Sequence, residues 1–360
     1  MKAISASERS LFTAIADAVL NHRFQCWFYG DSVGFEGLVA ASDLLGERRY
    51  VDFAHGFFRA WAARIAPFQP DDNTAPGAVM CEVAARTGDE ILRDAIRRLA
   101  EHLVARRSVK GVSVTFEDAL RSLRPPYGGA ALSAEEAELM RNPGAGVWLD
   151  CLHFDPPFYA HLSALGEDEH WARRAVDEAL AYGDLLRDPE TGLYQHFWLE
   201  RTGRAYAKGW GRGQGWALLG LIDVVEHARP DTPGRDAVAR RAQDLARRML
   251  AWQQPDGGWS ALVHEPRSGG ESSTAAFMAT AFYRGVAMGL LAPEEFREPA
   301  DRAYGAMMAN LDATGRLRGV SAAVYSALVE THYWHVPVDF TVPWGQGPAL
   351  TAALARARLE

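Results

Sequence analysis

The stretch HLSALGEDEHWARRAVDEALAY, from His161 to Tyr182, shows the pattern that decides the fold of this chain. An apolar segment ends near Gly166, acidic residues follow at once, and an amphipathic segment rich in Arg and Ala comes next. Glycine is favoured just past the end of a helix, and acidic side chains are favoured in the first turn of the next helix. The stretch therefore predicts two helices joined by a tight turn.

The same pattern recurs along the chain. Similar turn glycines stand at Gly46, Gly88 and Gly289, and a Pro/Asp/Gly turn takes that place at 230–234. Helical periodicity covers most of the sequence, whereas strand patterns are nearly absent. Twelve helices are predicted, at 6–21, 31–45, 48–64, 75–87, 89–105, 145–165, 168–186, 212–228, 233–253, 272–290, 293–311 and 346–359.

Twelve helices make six hairpins, and their irregular loop lengths suit a closed toroid better than a regular solenoid. The prediction is an all-α fold, an (α/α)6 barrel, in a single domain over residues 1–360. Arg/Ala-rich helices such as 235–250 should be outer, and helices with aromatic residues, Gly and Ala, such as 211–225, should be inner. Loops that enter the inner helices would meet at one end. The functional site is expected there, on the long connections 106–144, 187–211, 254–271 and 312–345.

The composition argues against several classes of function. The 360 residues include 38 basic and 46 acidic side chains, a formal net charge of −8, so nucleic acid is not an expected partner. Three cysteines without metal-ligand spacing argue against a zinc site and favour a reducing compartment. Glu8, Arg9 and Asp17 interrupt any signal-peptide core, and no apolar run could span a membrane. We expect a cytoplasmic protein.

The segment GVWLDCLHFDPPFYAHL, 146–162, holds the first candidate catalytic residue. Asp150 stands among apolar residues at a helix start, where a helix cap or a paired core residue is the ordinary alternative. Apolar surroundings disfavour the charged form of a carboxyl group, which can then hold a proton near neutral pH. Asp155, just before Pro156, is expected to be a turn or cap residue.

The segment RDPETGLYQHFWLE, 187–200, contains a turn followed by a short extended piece. Alternation along that piece would place His196 and Trp198 on one side. A histidine of this kind is more often structural than catalytic. Further back, Asp71 and Asp72 in QPDDNTAPGAVM, 69–80, immediately precede a helix, and helix capping explains at least one of them.

The segment KGWGRGQGWALLGL, 208–221, combines several glycines with Trp210, Arg212, Gln214 and Trp216 at a helix start. Glycines beside bulky rings suggest that the backbone is brought close to something, first of all a ligand. A guanidinium suits carboxylates or hydroxyls, and indole rings suit the faces of sugars. Packing in the core is the alternative for both tryptophans.

In this order, these stretches resemble the unsaturated glycuronyl hydrolases, in particular glycoside hydrolase family 105 and its sister family 88. DPETGLYQHFW is close to the family pattern D-x-x-T-G-L-Y-x-H-x-W, and GWGRGQGWALLGL is close to W-x-R-G-N/Q-G-W-x-x-x-x-L. WLDCLHFDPPFYAHL, DDNTAPG and the closing VPWGQGPALTAAL are similar to less specific patterns. The chain departs from the family at KGVSVTFEDALRSLRPPYGG and at Cys151.

The resemblance implies an (α/α)6 barrel, Asp150 as catalytic acid and Asp72 as a second carboxylate. It also implies substrate-binding roles for His196, Trp210, Arg212 and Trp216, and we count Gln214 and Trp198 with them. The implied substrate is an oligosaccharide with a 4,5-unsaturated uronic acid at its non-reducing end, followed by rhamnose by default. No metal or organic cofactor is needed. Replacing Arg212 by Ala is expected to weaken binding with little loss of fold.

Three other functions remain open from the residues alone. An inverting glycosidase would use Asp72 and Asp150 as base and acid. A sugar epimerase would use His153, His196 or His335 as proton shuttles. A non-catalytic toroid would only bind glycans or proteins. The enzyme itself is expected to be a monomer or a homodimer.

Overall fold

The computed structural model describes residues 4–64, 68, 73–166 and 168–360, and helices dominate it. The described residues form thirteen α-helices: α1 (Ala6–Leu20), α2 (Tyr29–Leu45), α3 (Arg48–Ala62), α4 (Gly77–Thr87), α5 (Glu90–Val104), α6 (Ala134–Arg141), α7 (Cys151–Ala164), α8 (His170–Leu186), α9 (Gly211–His227), α10 (Arg235–Ala251), α11 (Ser272–Ala287), α12 (Pro293–Ala309) and α13 (Pro343–Leu359). None of these helices is long and apolar enough to cross a membrane.

Short strands form three small antiparallel sheets in the connections between helices. The strands are β1 (Ser108–Val109) paired with β2 (Val112–Ser113), β3 (Gly146–Trp148), β4 (Gln195–Leu199) and β5 (Arg204–Lys208) in one sheet, and β6 (Ser260–Leu262) paired with β7 (Glu265–Gly270). The extended piece predicted around His196 is thus confirmed as β4.

Six helices form a closed inner ring. Neighbours pack in the order α2, α4, α7, α9, α11 and α13, and α13 packs back against α2. The outer helices α1, α3, α5, α8, α10 and α12 pack against this ring. The predicted (α/α)6 barrel is therefore confirmed.

The distribution of buried residues explains which helices are inner. The outer helix α10 buries Val238, Ala242 and Met249 on one face and exposes Arg240, Arg247 and Arg248 on the other. The inner helix α9 is buried at every position from Gly211 to Val225 because helices pack on all its sides. Both assignments made from composition are correct.

Glycines allow the inner helices to approach closely. A Cβ added to Gly220 would overlap the carbonyl oxygen of Leu152 on α7, and one on Gly37 of α2 would lie 2.6 Å from the Cα of Gly347 on α13. A Cβ on Gly215 would lie 2.7 Å from the Cβ of Phe277. The interpretation that a ligand lies against the glycines of α9 is therefore wrong for Gly215 and Gly220, because neighbouring helices occupy the space beside them.

Two helices of the structure differ from the predicted elements. The helix predicted at 145–165 begins only at residue 151, because β3 pairs with β4. The helix α6 was missed, although Ser133 and Glu136 form a capping box at its start. Asp155 is a buried residue inside α7, where it accepts hydrogen bonds from Thr74 and, at 3.0 Å, from Tyr182. The turn or cap role expected for Asp155 is wrong.

Candidate active site

The connections that enter the inner helices contact one another at one end of the barrel. Trp210, just before α9, pairs with Leu262 of β6, and Leu123, in the connection before α7, pairs with Ser326, in the connection before α13. Inner helices therefore begin at a common rim built from the four predicted connections. Helix N-termini carry partial positive charge, so this end of the barrel favours anionic groups.

The sheet of β3, β4 and β5 positions Asp150. The backbone N–H of Leu149 donates to the carbonyl oxygen of His196 at 2.8 Å, and Asp150 follows directly as the N-cap residue of α7. Its Oδ2 then lies 3.6 Å from Nε2 of His196, and 14% of the Asp150 side chain is exposed. A carboxyl group thus reaches the rim beside an imidazole.

His196 is held from its other side. Its Nδ1 lies 2.5 Å from the hydroxyl of Tyr333, and its ring centroid lies 4.4 Å from that of Trp210. Burial raises the pKa of Tyr333 well above its usual value, and the Asp150 charge adds to the shift. Tyr333 therefore stays protonated. With this phenol as donor, Nδ1 of His196 accepts and Nε2 carries the hydrogen that faces Asp150.

Arg212 is almost fully buried, with 1% of its surface exposed. Its Nη1 donates to Glu271 at 3.0 Å, to Ser273 at 3.1 Å and to Ser321 at 2.8 Å. Its Nε and Nη2 have no hydrogen-bond partner among the described residues. A buried guanidinium with unsatisfied N–H groups on one side is suited to bind an anionic or hydroxylated ligand.

Tyr29 and Trp344 complete this group. The guanidinium carbon of Arg212 lies 4.9 Å from the ring centroid of Trp210 and 5.8 Å from that of Trp344. Trp344 lies 5.4 Å from Tyr29, centroid to centroid. Burial raises the pKa of Tyr29, Arg212 opposes the shift and Asp150 adds to it. The cation and the carboxylate therefore act on the same phenol.

Sequence reasoning did not single out Tyr29, Glu271, Tyr333 or Trp344. Trp344 lies in the closing VPWGQG segment, so a signal for it was available. The other three come from separate connections or helix starts, and local sequence does not mark them. Only the folded ring brings them to the rim.

Three predicted binding residues lie in the packed wall instead. Trp216 is fully buried, with its ring centroid 4.6 Å from that of Phe277 and 5.1 Å from that of His153. Gln214 accepts from the Tyr194 N–H at 2.8 Å and donates to the Tyr194 carbonyl at 2.9 Å, which ties α9 to the start of β4. Trp198 is buried with the Lys110 ammonium 5.6 Å from its ring centroid. The buried positions of these three side chains indicate that they stabilise the backbone segments that form the rim.

Asp72, the predicted second carboxylate, lies outside the described residues. Cys151, one of the two departures from the family pattern, accepts a 3.5 Å hydrogen bond from Thr115. Burial raises the pKa of the Cys151 thiol well above its usual value, so it stays protonated. The other departure, around 110–129, supplies β2 and the contact of Leu123 with Ser326.

A family model described as Glycosyl Hydrolase Family 88 matches residues 13–360. The chain belongs to this family. The family 88 chain is 22% identical to the unsaturated rhamnogalacturonyl hydrolase YesR of Bacillus subtilis over 346 residues, which cover 94% of this chain and 93% of that protein. The resemblance inferred from the motifs is confirmed, and the protein is a hydrolase.

Solved structures share the barrel of this family 88 hydrolase. A possible member of the GH105 family from Klebsiella pneumoniae superposes with a TM-score of 0.82 at 18% identity, covering 99% of this chain and 95% of that one. The unsaturated glucuronyl hydrolase of Bacillus sp. GL1 superposes with a TM-score of 0.71 at 19% identity, covering 97% and 96%. These likenesses support the fold.

Proposed function

We propose that this hydrolase releases a 4,5-unsaturated uronic acid from the non-reducing end of lyase-generated oligosaccharides. The family and the activity named for the Bacillus subtilis relative support this substrate class. The observation that carries the proposal is the approach of the Asp150 carboxyl group to within 3.6 Å of His196 beside the unsatisfied N–H groups of Arg212.

Recognition of the sugar acid follows from the groups at the rim. Nε and Nη2 of Arg212 offer parallel donors to a carboxylate or to neighbouring hydroxyls. The rings of Trp210 and Trp344 flank the guanidinium and offer apolar faces to the sugar ring. Partial positive charge at the inner helix starts adds to the attraction for an anion.

The chemistry requires one proton donor that also serves as a base. Asp150 delivers a proton to C4 of the vinyl ether, and positive charge develops at C5, where the ring oxygen shares it. The resulting carboxylate then activates water for attack at C5. The hydrate collapses, the ring opens, and the remaining saccharide leaves. His196 orients Asp150 from 3.6 Å away. Asp72 is proposed as a second carboxylate at the site.

Replacing Asp150 by Asn tests the proposal. The amide fills the same space but cannot deliver the proton, so we expect turnover to fall by about 10²–10⁴-fold or more with an unchanged melting temperature. Loss of the absorbance of the substrate double bond measures turnover. Asp118→Asn is the matched control and should stay active, because Asp118 caps a short 3₁₀ helix in the connection 106–144 that precedes Asp150. An active Asp150→Asn enzyme would remove Asp150 from this role.

A saturated oligosaccharide of the same length separates this chemistry from that of an ordinary glycosidase, which would cleave both. Digests of pectin, glycosaminoglycan, ulvan and gellan by lyases identify the neighbouring sugar, for which we propose rhamnose.

We also propose one catalytic domain over residues 1–360, as a monomer or homodimer, acting in the cytoplasm. The sparse cysteines, three in 360 residues without paired spacing, support a reducing compartment.

A further inference from the structure

A cavity of about 500 Å³ lies at the end of the barrel opposite Asp150. The C-terminal parts of α7, α9 and α11 line it, together with residues of α2, α4 and α13. His161, in the last turn of α7, is about 16 Å along that helix from Asp150, since an α-helix rises about 1.5 Å per residue. This cavity is therefore separate from the rim.

Three potential metal ligands meet in this cavity. His161, Asp223 and His227 each offer one ligand atom, and these atoms all lie within 4.8 Å of one another. Asp223 and His227 are four residues apart, so they lie on the same face of α9. His161 approaches from α7, and its ring centroid lies 3.6 Å from that of His227.

We propose that His161, Asp223 and His227 form a binding site for a first-row divalent cation, with Zn²⁺ as the reference ion, which links α7 to α9. Two imidazoles and one carboxylate suit Zn²⁺ and its neighbours, and they leave coordination positions for water from the cavity. This site does not depend on the function proposed for the rim.

The hydrogen bond of His227 prepares its ring for a metal. Its Nδ1 lies 3.0 Å from the carbonyl oxygen of Asp223, which can only accept, so Nδ1 carries the hydrogen. The lone pair of neutral His227 is then on Nε2. Metal-bound histidines commonly donate their other ring N–H to a backbone carbonyl in this way, which fixes the tautomer and the orientation of the ring.

The surrounding charges leave room for a cation. Arg284 donates to Oδ1 of Asp223 at 2.5 Å and also bonds Glu226, so each carboxylate already meets one cation. Oδ2 of Asp223 remains for the metal. Around the whole cavity, four carboxylates face three guanidinium groups, so its formal charge with neutral histidines is −1. The carboxylates belong to Glu36, Glu82, Asp223 and Glu226, and the guanidinium groups to Arg86, Arg284 and Arg358.

Titration of the chelator-treated full-length protein with ZnCl2 tests the site, with calorimetry as the readout. We expect one equivalent of Zn²⁺ per chain and a higher melting temperature with the ion, because binding to the folded state stabilises it. Losing a hydrogen-bond partner of a ligand costs about 10–100-fold in affinity, so losing a ligand should cost about 100-fold or more. His161→Ala and His227→Ala should both show that loss.

His55→Gln is the matched control, because His55 and Asp89 form another histidine–aspartate pair, at 2.8 Å, on the outer helices. It should bind Zn²⁺ like the wild type. The proposal fails if wild type shows no saturable binding, if His161→Ala binds equally well, or if His55→Gln loses affinity as much. Should His161→Ala misfold by circular dichroism, His227→Ala decides: loss of binding supports the site, and retained binding overturns it.

Discussion

The guanidinium group of Arg212 has two separate roles, one in folding and one in binding. Nη1 neutralises Glu271, which is 5% exposed, while Nε and Nη2 remain for a ligand. Its removal would leave a buried carboxylate without its cation. The small effect on folding expected for Arg212→Ala is therefore not compatible with the buried ion pair.

We predict that Arg212→Ala lowers the free energy of unfolding by about 3–5 kcal/mol, the usual cost of breaking a buried ion pair. Arg212→Lys keeps a charge for Glu271 but loses the planar pair of donors. Its KM should rise about tenfold or more while most of the stability is retained. Urea unfolding and steady-state kinetics measure the two effects. Arg229→Ala, at an exposed arginine, is the control and should change neither the stability nor the KM. If Arg212→Ala and Arg212→Lys lowered the stability equally, Arg212 would not have these two separate roles.

In the proposed mechanism Tyr333 is a positioning residue, because its hydroxyl contacts Nδ1 of His196 and Nε2 of that ring faces Asp150. We predict that Tyr333→Phe lowers kcat about tenfold, the worth of one hydrogen bond, with little change in KM. The pH–rate profile should also change, since the tautomer of His196 is no longer fixed. Tyr206→Phe, which loses a 3.0 Å bond to Thr202 on the same sheet, is the control. An unchanged profile in Tyr333→Phe would show a purely structural role.

Four of the residues predicted from local sequence lie together in the structure. The motifs around Asp150, His196, Trp210 and Arg212 are continuous, and all four side chains meet at the rim. The same motif also contains Trp216, which packs inside the ring instead. Sequence spacing places Trp210 and Trp216 on one helix start. Both rings are buried, and the packing of the helices decides that Trp216 lies against Phe277 and Trp210 beside Arg212.

At the scale of elements, close contact between α7 and α9 depends on two unusual residues. Pro156 has no N–H, so the carbonyl of Leu152 lacks its ordinary helical partner. Gly220 allows α9 to approach that carbonyl directly. A side chain at Gly220 must push the two helices apart.

We predict that Gly220→Ala destabilises the fold by about 1–3 kcal/mol through this backbone overlap, despite the better helix propensity of alanine. Gly305→Ala, on the exposed face of the outer helix α12 with open space around it, should stabilise the fold by about 0.5–1 kcal/mol. Thermal or urea unfolding compares the two. A stabilised Gly220→Ala protein would contradict the close packing described here.

Most helices were predictable from local sequence, whereas among the strands only β4 was, for a physical reason. The helices carry local signals such as the capping aspartate Asp89 and the turn glycines Gly46 and Gly88. Strands β3 to β5 are only three to five residues long. The partner of β3 is β4, which follows some fifty positions later in the sequence. Their pairing is set by the ring, so periodicity within each strand carries little information.

At the scale of the whole molecule, burial of an acid couples stability to pH. Burial raises the pKa of Glu178 from 4.5 to about 7, and nearby Asp155 adds to the shift. Between these two pH values the folded protein keeps a proton that the unfolded chain has released. The contribution of Glu178 to stability is therefore greatest below about pH 4.5 and is lost as the pH rises toward 7.

We predict that Glu178→Gln removes the loss of stability that accompanies ionisation of Glu178 as the pH rises. The amide oxygen still accepts from the Ser113 N–H, so the variant should match wild type near pH 5 and exceed it by about 1–3 kcal/mol at pH 8. Urea unfolding at both values measures the difference, and Glu101→Gln on the exposed side of α5 should change neither. An equal difference at both pH values would rule out titration of Glu178 as the cause.

The closure of the ring between Gly37 and Gly347 has a consequence for synthesis on the ribosome. The helix α2 emerges about three hundred residues before α13, its partner in the wall. During that interval the apolar flank of α2 has no permanent cover, and such flanks promote aggregation of nascent chains. The nascent chain should therefore depend on chaperones until α13 has left the exit tunnel.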